Sequence, residues 1–277
     1  MNDLQRFLDE DIGSGDITTE IFVPEGDGTA TITCEDDAVV AGLEEAAEIF
    51  SLLGVKSKLF VKDGQRVKKG TMVMEISGSK KSILTAERTA LNMMMQMSGV
   101  ATITNKILEG CKKINPNIII AGTRKTTPGF RKYEKKAIEL GGGWPHRFGL
   151  YDAVLIKDNH ITAAGGVKEA MKFAKNVPSG IKVEIEVENI TDAIAAAECN
   201  PDIIMIDNCS PEETEKLRDA IKKVNPRILV EISGRITIKN VKTYSSFADI
   251  ISLGALTHSV KAIHFSLNYE IRNGKNN

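Results

Sequence analysis

From residue 117 onward the chain repeats one pattern, a short and continuously apolar segment followed by a helix-length stretch. The apolar segments are NIIIAG, DAVLI, KVEIEV, DIIMI, ILVEIS and DIISLG. Strands that are apolar throughout describe a parallel sheet covered on both faces, because a sheet with one wet face would alternate. Each segment runs straight into polar residues: Thr123, Arg124 and Lys125; then Lys157, Asp158, Asn159 and His160; Glu186 and Glu188; Asp207 and Asn208; Ser233 and Gly234; and finally Gly254. In a parallel sheet the carboxyl ends of the strands share one edge, so these tips converge. The strand count favours a small or incomplete α/β barrel, with a doubly wound sheet as the alternative.

Before residue 80 the pattern differs. Short alternating runs (TATITCE, KLFVKDG, TMVMEISG) are broken by turn signals and by one helix near residues 43–53, which reads as α+β. A second helix is expected at about residues 85–98. Its methionines cover most faces and read as core or interface filler.

Lys and Arg number 36 against 37 Asp and Glu, a balance that excludes a surface clinging as a whole to nucleic acid or anionic lipid. Cationic function is therefore local. Residues 1–50 hold fourteen acids and one base, whereas residues 124–157 hold eight bases and three acids. No run approaches the roughly 18 apolar residues of a membrane span, and the start lacks the basic-then-apolar order of a secretion signal. A cytoplasmic chain is expected, and the scattered Cys34, Cys111, Cys199 and Cys209 read as buried free thiols.

Within the basic stretch, Arg124, Lys125, Arg147 and Lys157 adjoin Gly, Pro, His and Asn, whereas Arg131, Lys132, Lys135 and Lys136 read as an ordinary amphipathic helix. Arg124, Lys125, Arg147 and Lys157, with His146, suit a polyanionic ligand, since guanidinium forks match planar carboxylates and phosphates. Glu186 and Asp207 offer hard oxygens for Mg²⁺ or oppose a growing positive charge. Backbone N–H groups at Ser233, Gly234 and Gly254 suit a phosphate. Taken singly, each motif has a bland reading: a solvated loop at Arg124, packing or capping for His160 and His258, a helix end at Gly141, Gly142 and Gly143. Their joint arrival at successive strand ends outweighs those readings. Walker, dinucleotide-binding, HExxH and GxSxG motifs are absent.

Residues 122–161, GTRKTTPGFRKYEKKAIELGGGWPHRFGLYDAVLIKDNHI, closely resemble the quinolinate phosphoribosyltransferase family. EDIGSGDITTE, AERTALN, the EIEVEN and MIDN tips, EISG and SLGALTHS continue the likeness, in the family's order, over nearly the whole chain. The resemblance implies an N-terminal α+β sandwich domain over residues 1–103, joined by residues 265–277, and an incomplete α/β barrel over residues 104–264. It implies a reaction of quinolinate with phosphoribosyl pyrophosphate and Mg²⁺, giving nicotinate mononucleotide, pyrophosphate and CO₂, a step of NAD biosynthesis. Arg124, His146 and Arg147 would grip the quinolinate carboxylates, with Arg88 reaching in from the second subunit of a dimer. Lys125 and Lys157 would meet phosphate and pyrophosphate charge, and Glu186 and Asp207 the ribose and its magnesium. The 5′-phosphate would lie on Ser233, Gly234 and Gly254, beside His258.

Two departures stand out. The family's usual EISGGI reads EISGRI here, placing Arg235 beside the phosphate site, and Trp144 and Pro145 precede His146. A proline there resembles a molybdenum-transport-associated paralogue, so a paralogous transferase using another anionic acceptor, such as nicotinate, is the second reading. The intact KDNH tip favours the quinolinate enzyme. A carrier module is the third reading, because VKDGQRVKKGTMVMEISGSKK resembles a biotinyl or lipoyl hammerhead; Lys80 and Lys81 run straight into a helix and argue against it.

Overall fold

A computed structural model describes residues 3–270. In chain order the strands are β1 (Asp27–Cys34), β2 (Ala38–Val39), β3 (Lys56–Leu59), β4 (Arg66–Val67), β5 (Thr71–Ser79), β6 (Ile119–Ala121), β7 (Val154–Ile156), β8 (Val183–Val187), β9 (Ile203–Asp207), β10 (Leu229–Ser233), β11 (Ile250–Ser252) and β12 (Phe265–Glu270). The helices are α1 (Asp3–Ile12), α2 (Ile17–Phe22), α3 (Leu43–Leu52), α4 (Lys80–Lys112), α5 (Arg131–Leu140), α6 (Asp158–Ala164), α7 (Val167–Lys172), α8 (Ile190–Glu198), α9 (Pro211–Val224), α10 (Val241–Tyr244) and α11 (Ala255–His258). The chain divides into two units, the described residues 3–103 with 260–270, and residues 104–259. Residues 271–277, part of the segment expected to join the first domain, lie outside the described residues, as do residues 1 and 2.

The first unit is built on an antiparallel sheet in the order β12-β1-β5-β3, with β2 and β4 as a separate pair. Ala30 and Ile32 of β1 face the core, and Ile76 lies opposite Ala30 on β5. The second helix is far longer than its expected 85–98: α4 has 33 residues. The β-branched run after Ser98 hides a helix from propensity reasoning, but tertiary bonds hold it. Ser98 Oγ accepts from Ala41 N–H at 2.9 Å and Thr102 Oγ1 from Val39 N–H at 2.9 Å, pairing the helix with the side of the extended segment that does not face β4.

All six apolar segments form the second unit's parallel sheet, in the order β6-β11-β10-β9-β8-β7. Its outer face is apolar: Ile185, Val187, Ile204, Ile206 and Val230 pack with Ala193, Ala196, Leu217 and Ile221 of α8 and α9. With a period of two, the opposite face takes Glu184 and Glu186 of β8, Met205 and Asp207 of β9, and Glu231 and Ser233 of β10. β6 and β7 are the edge strands. In a flat sheet they would stand about 24 Å apart. Residues following both nevertheless line one cavity, so the sheet curls toward a barrel while β6 and β7 stay unpaired with each other. Of the four thiols, Cys34 and Cys111 are buried, whereas Cys199 and Cys209 are only half-buried. No helix among the described residues is long and apolar enough to cross a membrane.

Gly99 yields a stability test within the first unit. In an isolated helix Gly→Ala stabilises by about 1 kcal/mol. A Cβ on Gly99 would stand 2.6 Å from the Lys261 carbonyl oxygen, a main-chain atom that cannot swing aside. Gly99→Ala is therefore expected to lower the urea midpoint, and a raised midpoint would contradict this packing.

Candidate active site

The carboxyl edge of the parallel sheet opens into a cavity of about 530 Å³. Nine of the expected residues line it: Arg124, Lys125, His146, Arg147, Lys157, Glu186, Asp207, Ser233 and Gly234. Gly254 and His258 lie just behind, against the stem of Lys125, and Thr257 Oγ1 donates to the Lys125 carbonyl at 2.6 Å. Arg88 is not among these lining groups; it belongs to the first unit, on α4, with its side chain 59% exposed. The first unit holds a larger cavity of about 1080 Å³, but no comparable set of strand-tip groups converges there.

The cavity is lined by charges of both signs. At one side stand Arg124 and Arg147. Burial, and next the Arg124 guanidinium, pull Arg147 below its usual pKa, and Arg124 Nε is buried without a hydrogen-bond partner. Two adjacent guanidiniums so placed are suited to a ligand with two negative groups. On the other side Lys157 Nζ meets Glu186 Oε2 at 2.5 Å. Burial, and then the negative charge of Glu186, raise the carboxyl of Asp207, while Lys157 and Lys125 act the other way. Crowded carboxylates of this kind suit a hard divalent cation, so the donor set fits Mg²⁺. Gly234, at φ +76°, touches Asp207 and Asn208 so closely that a Cβ would lie 2.6 Å from Asp207 Oδ1. Arg235 is exposed at the rim with a left-handed φ of 53°, and Trp144 stacks on His146 with ring centres 4.5 Å apart. His160 takes the capping role: its Nδ1 accepts from the Lys157 N–H at 2.9 Å.

Sequence reasoning passed over a second set of residues. His146 Nε2 lies 3.1 Å from Glu231 Oε2 and 3.4 Å from Glu184 Oε2, and both carboxylates are buried. Burial works against protonation of His146, but hydrogen bonds to Glu184 and Glu231 outweigh it and lift the imidazole to about 9. The Arg147 N–H, 2.8 Å from Nδ1, favours the neutral ring instead. Two buried carboxylates outweigh that one neutral bond. Glu184 is itself raised, by burial first and by Glu231 second, while His146 and Arg147 act the other way. The signal for both glutamates was present in the sequence: Glu184 shares a face with Glu186, and Glu231 with Ser233, by simple alternation.

The helix α5, read as ordinary, in fact ties down both loops of the cationic side. Glu134, fully buried, accepts from Thr127 N–H and Oγ1 at 3.1 and 2.9 Å. Arg131 donates to Thr126 Oγ1 and to the Phe148 carbonyl at 2.9 and 3.2 Å. Lys135, 2% exposed, donates to the carbonyls of Pro145 and Arg147.

Comparison with known proteins gives concordant matches. Residues 16–98 match the model of the quinolinate phosphoribosyl transferase N-terminal domain, and residues 100–268 that of the C-terminal domain. The chain is 41% identical over 256 residues to a probable nicotinate-nucleotide pyrophosphorylase (carboxylating) of Archaeoglobus fulgidus, covering 91% of this chain and 97% of that one. It is 42% identical over 271 residues to the protein of the same description from Methanocaldococcus jannaschii, covering 95% of each. The solved structure of the nicotinate-nucleotide pyrophosphorylase from Francisella tularensis superposes with a TM-score of 0.90 at 36% identity, covering 96% of this chain and 94% of that one.

The imidazole of His146 provides the test of this geometry. Because its folded pKa lies above the ordinary 6.5, its contribution to stability is complete below that value and is lost as pH rises through about 9. Glu231→Gln removes one of the two carboxylates, and the His146 titration midpoint, read from its ring-proton NMR signals, should fall by about one unit or more. An unmoved midpoint would show that Glu231 does not set the charge of His146.

Proposed function

Because the chain belongs to the quinolinate phosphoribosyltransferase family of pentosyltransferases, we propose that its cavity joins quinolinate to phosphoribosyl pyrophosphate with loss of CO₂, a step of NAD biosynthesis. The observation that carries this reading is the pair of neighbouring guanidiniums of Arg124 and Arg147 in the same cavity as a cluster of carboxylates and lysines. Quinolinate brings two carboxylates to the first. The sugar donor brings a developing cation and a departing pyrophosphate to the second.

In this reading Arg124, Arg147 and the imidazolium of His146 hold the acceptor so that its ring nitrogen faces the anomeric carbon. The nitrogen attacks as the carbon–oxygen bond to pyrophosphate breaks. Positive charge on the ribose is opposed by Glu186 and Asp207, and negative charge on the leaving group by Lys125 and Lys157. Glu186 and Asp207 would hold Mg²⁺ together with the substrate phosphates, and the ion would supply further neutralisation of pyrophosphate charge. Ser233, Gly234 and Gly254, with His258 beside them, receive the 5′-phosphate. The alkylated ring nitrogen then draws in the electron pair left when the adjacent carboxylate departs as CO₂, and the resulting carbanion takes a proton. No covalent enzyme intermediate is required.

We further propose a dimer in which Arg88 reaches the site of the second copy. Supporting this, every residue of β7 is only partly buried, α6 has no buried residue, and Leu150 and Tyr151 are each 75% exposed, an unusual lack of cover for the edge of a parallel sheet. A donor carrying several phosphate charges does not cross membranes unaided, which favours a cytoplasmic site of action.

Purified protein given quinolinate, phosphoribosyl pyrophosphate and Mg²⁺ should release CO₂ and form nicotinate mononucleotide. Nicotinate should compete poorly, because one missing carboxylate leaves a guanidinium unpaired at a cost of about 1–3 kcal/mol. Equal use of the two acids would point to the paralogue. Lys157→Ala should reduce turnover by roughly two orders of magnitude or more with the fold intact, and a near-normal rate would remove Lys157 from the mechanism. Mixing inactive Arg88→Ala with inactive Lys157→Ala subunits should restore part of the activity; continued inactivity after demonstrated subunit exchange would count against the shared site.

A further inference from the structure

We propose that Lys135 is a positioning residue for acceptor binding: from α5, its buried ammonium holds the carbonyls on either side of His146 and fixes the turn that aims His146 and Arg147 into the cavity. This role rests on the reaction assigned above.

The argument begins with the backbone. His146 sits at φ 57°, a left-handed conformation that a residue with a Cβ adopts only when its surroundings impose it. Upstream the chain is fixed by sheet-like bonds, Trp144 N–H to the Ile120 carbonyl at 2.8 Å and Gly122 N–H to the Trp144 carbonyl at 2.9 Å. That ladder stops at Pro145, which has no N–H to continue it. The next two fixed points are the Pro145 and Arg147 carbonyls, and both accept from Lys135 Nζ. The ammonium thus brackets the strained residue and ties it to the rigid helix that follows β6.

Its electrostatic setting fits an anion's neighbour. Lys135 faces Arg131 and Glu134 from its own helix, Arg124 from the loop after β6, Arg147 from the turn itself and Asp152 from the segment before β7. Burial first, then Arg131, Arg124 and Arg147, against the opposing pull of Asp152, bring the ammonium down to about 8. A dianionic acceptor between the two cavity arginines would relieve that crowding. Donor binding involves a different side of the cavity, so the effect of removing Lys135 should be selective.

Steady-state kinetics of the wild type, Lys135→Met and Lys135→Arg, with quinolinate and phosphoribosyl pyrophosphate varied in turn, test this. Lys135→Met should raise the quinolinate KM by roughly ten- to a hundredfold while the donor KM stays within about twofold, and Lys135→Arg should recover part of the loss. An unchanged quinolinate KM, or equal rises in both KM values, would overturn the role. A wild type that does not consume quinolinate would instead refute the assigned reaction. Should Lys135→Met not fold, Lys135→Arg decides: a raised quinolinate KM with the donor KM unchanged is the expected result, and a quinolinate KM equal to the wild type's would overturn the proposal.

Discussion

Like charge held at short range in a half-buried place is the constraint on which this molecule turns. Arg124 and Arg147 stand close enough to lower the affinity of Arg147 for its proton, and Arg124 keeps a buried Nε without a partner. Left to itself such a pair would swing apart into water. It stays because the residues carrying it are fixed, one at the end of β6 and the other on a turn bound to α5, and because the sheet beneath them is packed on α8 and α9. The surface chemistry is therefore supported by an apolar framework that takes no part in it.

The opposed carboxylates follow the same rule in the other sign. Glu184 and Glu231 would be costly inside a parallel sheet if they had no cationic neighbour, and His146 supplies one. Glu186 and Asp207 are partly offset by Lys157, which leaves this side able to accept a cation together with phosphate. Both signs of charge thus line one cavity, paired at Lys157 and Glu186 and at His146 and Glu231. A transfer reaction in which positive and negative charge separate in the transition state can use such a field without rearranging it.

Much of this was legible from residue order. The six strands, their parallel arrangement and the strand-tip residues that meet in the cavity follow from continuous apolar runs ending in polar tips. What escaped was the alternation within those runs: reading KVEIEV only as a strand with a tip overlooked that Glu184 shares a face with Glu186. The length of α4 escaped because a β-branched run resembles a strand until Ser98 and Thr102 are seen bonded to extended chain. Lys135 escaped because helical periodicity places a lysine on a face without saying which backbone that face meets.

The sequence by itself determined which residues could react and in what order they leave the strands, since strand ends are set by local hydrophobicity and turn residues. Only the tertiary structure decided which charges touch. Burial, the protonation of His146 and the strained turn at that residue arise from groups brought together by folding, such as Glu231 lying 85 positions along the chain from His146. Electrostatic energies depend on distance in space and on exclusion of water, and neither is written in a local window of sequence.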